Sequence, residues 1–235
     1  MAITLYELAG SDPQRRFSPH CWKAHLALNH KHLDFTTVPV CYHQIRTILA
    51  FADYSLLPVL TDGDRVITDS WNIADYLEQE YPQHPLFGDA ASKALAESIN
   101  HWCDTQLAPL IRPLILLDIH QLLAEEDQGY FRQSREARLG QTLEVVVATA
   151  PQALAGFREE LQRVRELLSL QPFLSGAAPG YADICLFGMC LWIATVNSEI
   201  TFLDPEDQLL VTWYQRLLAT YPDAQQAITA VRVMA

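Results

Sequence analysis

Strand-forming residues occupy only the first third of this chain, and helical periodicity takes over after them; that asymmetry limits the fold more than any single motif. Ile3 to Leu8 and Phe35 to Val40 are short β-rich runs, the second with Pro39, which confines it to an edge or a strand end. Val59-Leu60-Thr61 and Arg65-Val66-Ile67-Thr68 flank Asp62-Gly63-Asp64, whose Asp-Gly step is a strong hairpin signal. Helices fall between and after them. Ser18-Pro19 supplies an N-cap and a first-turn proline, with Cys21, Ala24 and Leu28 on one face and an end near His30. Residues 44–51 form a short helix candidate. Asp69-Ser70 caps a third helix carrying Ile73, Ala74, Leu77 and Tyr81 as an apolar stripe, ending before Pro82. The order βαβα then ββα makes a thioredoxin-like α/β domain.

From Gln83-His84-Pro85 onward no strand signal recurs, so the expected division is an α/β domain over 1–83, a linker over 84–90 and an all-α helical bundle over 91–235. Within the bundle, residues 100–124 read as two apolar helices broken by Pro109 and Pro113, 136–147 as another helix and 152–168 as an amphipathic one. Residues 172–176 read as a turn. Residues 184–196 are apolar nearly all round, the mark of a central helix, and are shorter than the roughly 20 residues needed to span a membrane. Residues 213–220 and 224–231 complete the bundle.

Half of the 235 residues are hydrophobic, enough for a sizeable core. A net charge of -12 argues against binding nucleic acid, whose phosphates require lysine and arginine. The five cysteines contain no CxxC pair and suit a reducing cytoplasm, and the N-terminus lacks the basic and apolar regions of a signal peptide.

Three short motifs carry chemistry. Ser18 stands where the free N–H groups and positive end of a helix dipole converge, a place that favours a thiolate; taken alone, it is simply a helix cap. Asp69-Ser70 opens the third helix, where N–H groups and a hydroxyl hold a carboxylate and Asp69 accepts from an ammonium, so one dipeptide fits an amino-acid head group. Leu57-Pro58, just before a strand, is a candidate cis bond. Cys21 follows Ser18 as Ser-x-x-Cys, which lacks the first thiol needed for dithiol exchange. His25, His30 and His32 lack the spacing and additional ligands of a zinc site, and no metal is expected. Trp102, Phe187, Trp192 and Trp213 are either acceptor-pocket or core aromatics.

The runs Phe17-Ser18-Pro19-His20-Cys21-Trp22-Lys23, Asp69-Ser70-Trp71-Asn72-Ile73-Ala74-Asp75-Tyr76-Leu77 and Tyr181-Ala182-Asp183-Ile184-Cys185-Leu186-Phe187-Gly188 resemble the glutathione transferase superfamily, and within it the β-etherase-related enzymes of bacteria and fungi. The resemblance spans nearly the whole chain. It implies the glutathione transferase fold and a detoxification-type transferase in which Ser18 stabilises the thiolate of the cosubstrate glutathione. It implies that a cis Leu57-Pro58 turns the backbone of Leu57 toward the ligand, and that Asp69 and Ser70 hold its γ-glutamyl group. Loop position adds His43 and Gln44 as candidates for the glycyl carboxylate. The helical domain would hold a small apolar electrophile, the protein would be a cytoplasmic homodimer, and neither nucleic acid nor membrane would be a partner. A glutathione-dependent aryl-ether lyase and a non-catalytic glutathione- and apolar-ligand-binding protein share these features. Tyr6, on the first strand, rivals Ser18 for the sulfur contact. One departure stands out: the superfamily places Ser or Thr three residues before Asp183, where this chain has Gly180.

Overall fold

The computed structural model describes residues 2–234. Four strands, β1 (Ile3–Leu8), β2 (Phe35–Val40), β3 (Val59–Asp62) and β4 (Arg65–Thr68), form one sheet in the order β2-β1-β3-β4. β2 runs parallel to β1, while β3 and β4 are antiparallel to their neighbours. β2 is an edge strand, so Pro39 is tolerated there. Helices α1 (Pro19–His30) and α3 (Ser70–Glu80) begin at the capping residues Ser18 and Asp69. A 3₁₀ turn (Tyr42–Gln44) and the single-turn α2 (Ile45–Ile48) occupy the region expected to be one longer helix.

The remaining helices are α4 (Ala90–Trp102), α5 (Ala108–Leu122), α6 (Glu125–Leu139), α7 (Leu143–Val147), α8 (Ala150–Glu160), α9 (Gln162–Leu170), α10 (Tyr181–Val196), α11 (Gln208–Thr220) and α12 (Pro222–Met234). Pro109 and Pro113 do not break this region. A π turn over Cys103–Leu107 joins α4 to α5, Pro109 falls in the first turn after it, and Pro113 lies inside α5. The wider turn rearranges the carbonyls to which Pro109, lacking an N–H, cannot bond. The helix expected over 136–147 is two pieces: Gly140, at φ 69°, ends α6, and Thr142 caps α7. α6 itself starts eleven residues earlier, behind Glu125, Glu126 and Asp127, whose charges suit a helix N-terminus.

α10 is the central helix, and it covers the outer side of α1. Gly188 permits the approach, since a Cβ there would lie 3.1 Å from the Pro19 carbonyl. That packing buries polar residues of α1 that amphipathic patterning assigns to solvent. Lys23 is fully buried, and its ammonium donates to Asn100 Oδ1 (2.7 Å) and Asp104 Oδ1 (2.9 Å). His25 is held between Glu7 Oε1 (3.1 Å), itself buried under the sheet, and Asp223 Oδ2 (3.0 Å) at the start of α12. Arg16 also donates to Glu7.

The two halves are joined by more than the chain. Glu78 accepts the N–H groups of Leu86 (2.8 Å) and Phe87 (3.2 Å), and the Leu86 carbonyl accepts the N–H of Tyr181. Buried Asp183, in the first turn of α10, accepts from the N–H groups of Leu174, Ser175 and Gly180 and from the indole of Trp213. The absence of Ser or Thr at 180 has a steric reason: a Cβ would meet Ser175 Oγ at 2.7 Å and the Leu86 carbonyl at 2.9 Å.

Candidate functional site

Strand register gathers the sequence motifs at one end of the sheet's strands. Leu8, the last residue of β1, pairs with Val40, the last of β2, so the Cys41–Gln44 segment leaves at the same end as the loop leading to Ser18. Tyr6 pairs with Val59, the first residue of β3, which places Leu57-Pro58 just beyond that end. Val59 in turn pairs with Thr68, the last residue of β4, so Asp69-Ser70 emerges there too. Four segments distant in sequence therefore meet at one end of the sheet.

Ser18 is buried, with its Oγ accepting the N–H of Cys21 at 3.3 Å. That bond uses an oxygen lone pair and leaves the hydroxyl proton available to donate. The Cys21 thiol is buried, and desolvation, reinforced by Glu7, pushes it up to about 12 against hydrogen bonds from Ser18 and Leu8. It is a packing residue with a protonated sulfur at neutral pH. The Leu57-Pro58 bond is cis.

Asp69 adopts φ 71°, and its Oδ1 accepts the N–H groups of Trp71 (2.8 Å) and Asn72 (3.3 Å). This carboxylate thus caps α3 with one oxygen. Ser70 is buried and its carbonyl accepts the Tyr181 hydroxyl at 2.8 Å, tying the start of α3 to α10. Tyr6 points to the opposite sheet face from Leu5 and Glu7 and packs against Phe51, ring centroids 5.3 Å apart. His43 gives its backbone N–H to Asp127 Oδ1 (2.8 Å), with Nδ1 3.1 Å from the same oxygen, while Gln44 Oε1 accepts the Cys41 N–H. Asp127, in α6, thereby fastens the helical half to the Cys41–Gln44 segment.

Other polar residues beside the N-terminus of α1 were not legible as a group. His20, one turn ahead of Lys23, lies within electrostatic reach of Asp69, Asp104 and Arg112. Burial, then the charge of Lys23, lowers its pKa to about 4, leaving a neutral imidazole two residues from Ser18. Arg112 interrupts the apolar run Leu110-Ile111-Arg112-Pro113-Leu114, and that interruption is the one signal the sequence offered. Of the aromatic candidates, Phe187 and Trp213 are core, Trp102 donates to Glu160, and Trp192 is half-buried. A cavity of about 110 Å³ under the loop before α1, between Ser11, Arg15 and Gln121, is smaller than the ~300 Å³ at which ligand clefts begin and is not the site.

A thioredoxin-like sheet with a cis proline, backed by a helical bundle docked against its first helix, defines a class of two-part α/β-plus-helical proteins. Comparison with known families narrows it. The glutathione S-transferase N-terminal domain model matches residues 14–85 and the corresponding C-terminal domain model matches residues 94–201, and the chain belongs to the glutathione S-transferase family. A zeta-class glutathione S-transferase of Euphorbia esula is 33% identical over 110 residues, covering 45% of this chain and 47% of that protein. Glutathione S-transferase 1 of Dianthus caryophyllus is 30% identical over 112 residues, covering 46% and 51%. The chain spans about half the length of the curated relatives it matches. Among solved structures, the fold is similar to glutathione transferase GSTFuA3 from Phanerochaete chrysosporium, with TM-score 0.83, 24% identity and coverage of 94% of this chain and 98% of that one. It is also similar to CsGST63524 of Ceriporiopsis subvermispora in complex with glutathione, with TM-score 0.81, 24% identity and coverage of 95% and 98%.

Proposed function

We propose that the chain is a serine-type glutathione transferase, related to the β-etherase group, in which glutathione lies across one end of the sheet's strands and Ser18 stabilises its thiolate. The observation that carries this reading is the convergence of Ser18, cis Leu57-Pro58 and Asp69-Ser70 at that end. Leu57 offers backbone groups that pair, strand-like, with the cysteinyl unit. Ser70 and the N-terminus of α3 receive the γ-glutamyl carboxylate, and Asp69 its ammonium. His43 and Gln44 stand at the glycyl end. Residues 1–83 form the glutathione-binding unit, 84–90 the linker, and 91–235 the unit that holds an apolar electrophile. The sulfur attacks the electrophile after Ser18 and the α1 dipole have raised the thiolate population. All five cysteines are free, which suits a cytoplasmic detoxification enzyme, and the family resemblance suits a homodimer.

The test sets Ser18 against Tyr6. Ser18→Ala should raise the thiol pKa of bound glutathione, read by ultraviolet absorbance, and lower turnover near neutral pH more than at alkaline pH, where the thiolate forms unaided. Tyr6→Phe should change neither, because the ring contact with Phe51 is retained and only Ser18 stands at the positive end of a helix dipole. The reverse pattern would assign a tyrosine mechanism, and glutathione affinity with no electrophile consumed would make the protein a binder.

A further inference from the structure

Three arginines beside the proposed acceptor space have no carboxylate partner among the described residues, although 28 acidic residues outnumber 16 basic ones. Elsewhere Arg16, Lys31, Arg65, Arg132, Arg163 and Arg165 each meet a carboxylate, and Arg15, Arg158 and Arg216 donate to backbone carbonyls. Arg112, Arg135 and Arg138 do not. α5 returns into α6 through two residues, and His120 faces Phe131 at 6.3 Å. Two helical turns back along α5 lead to Arg112, and one and two turns forward along α6 lead to Arg135 and Arg138, so the three face one another across the pair. Burial, then the charges of Arg138 and Arg135, depresses the Arg112 guanidinium. Asp104, the nearest acid to oppose this, is already bonded to Lys23 at 2.9 Å. Arg135 is held in place: it donates to the Tyr42 hydroxyl at 3.1 Å and stacks over Phe131, 4.6 Å from the ring centroid. Arg112 is also within electrostatic reach of His20, two residues from Ser18.

Like charges held together without a counter-ion, two of them half-buried, are unfavourable unless an anion completes them, and the guanidinium fork is shaped for a carboxylate. We propose that Arg112, supported by Arg135 and Arg138, binds a carboxylate on the second substrate, whose apolar body lies against the Tyr42 and Phe131 rings. This rests on the glutathione transferase reading and names its electrophile as an aromatic or other apolar acid.

The test compares a neutral chlorodinitrobenzene with its carboxylated counterpart, a chlorodinitrobenzoate. In both, the glutathione sulfur forms a bond to the ring carbon, chloride leaves with the carbon–chlorine electron pair, and the thiol proton passes to solvent. The wild-type protein should prefer the benzoate in kcat/KM, and added salt should erode that preference. Arg112→Gln should lower kcat/KM for the benzoate about tenfold more than for the neutral substrate, as expected for one charge-assisted hydrogen bond. Arg112→Lys should restore part of the loss, and exposed Arg138→Gln should show a smaller one with no effect on folding. Equal use of both substrates by the wild type would overturn the proposal, as would Arg112→Gln raising the glutathione KM in both assays, which would give the arginines to glutathione itself. Calorimetric binding of the benzoate separates the two readings. Arg112-dependent binding without any glutathione affinity would keep the anion site and defeat the transferase reading.

Discussion

Replacing His25 with glutamine should abolish a specific component of the pH dependence of stability. Burial lowers the pKa of this imidazole, but Glu7 on one side and Asp223 on the other outweigh burial and raise it to about 9 from 6.5. With the unfolded value near 6.5, the difference at about 1.4 kcal/mol per unit corresponds to roughly 3 kcal/mol. Because the folded pKa is the higher one, that stabilisation is fully present below pH 6.5 and is lost as pH rises through 9; about half remains near pH 8. Asp223 is held down to about 2, with the His25 bond as the main cause, so its side of the pair fails only in strong acid, as pH falls through that value. The assay is urea unfolding followed by circular dichroism at several values between pH 6 and 10, urea being chosen because guanidinium would screen the charges. The gap between wild type and His25→Gln should approach 3 kcal/mol at about pH 6 and close by about pH 10. Parallel profiles would show that His25 is neutral in the folded protein and would refute the reasoning.

Gly180→Ser should destabilise the protein by about 1–2 kcal/mol despite offering a better cap, because overpacking against Ser175 and Leu86 exceeds the few tenths gained by a capping hydroxyl; an unchanged or higher melting temperature would contradict the steric account. Ser70→Ala should raise the glutathione dissociation constant about tenfold with kcat at saturation near wild type, by calorimetry and steady-state kinetics. Lost turnover at unchanged affinity would contradict a binding role.

Elements whose signals are local were legible in the sequence. Ser18 and Asp69 announce α1 and α3 through side chains that cap their own helices, and Asp62-Gly63 announces the β3–β4 hairpin, so these boundaries agree with the structure within about a residue. Elements set by distant partners were not. α6 is polar and carries no strong apolar stripe, and its position depends on Asp127 bonding to the Tyr42 and His43 N–H groups more than eighty residues away. Lys23 and His25 look like a solvated face of α1 until α10 and α12 cover them. The glutathione-side motifs lie in short runs and could be singled out, whereas the arginines on α5 and α6 become a group only when two helices are brought together.

The π turn at Cys103–Leu107 gives the acceptor side an evolutionary adjustment point. Each residue of an α-helix turns the next by about 100°, so one residue added to or removed from this turn rotates α5 about its own axis by that angle relative to α4. α4, ahead of the turn, would keep its seat against α10, while α5 would present a different stripe to α6 and swing Arg112 away from Arg135. A single-codon insertion or deletion there can therefore exchange the α5 side chains on the proposed acceptor side without altering the motifs proposed to hold glutathione. Divergence in substrate choice within such a fold need not proceed through point substitutions in a pocket; it can proceed by re-phasing one helix.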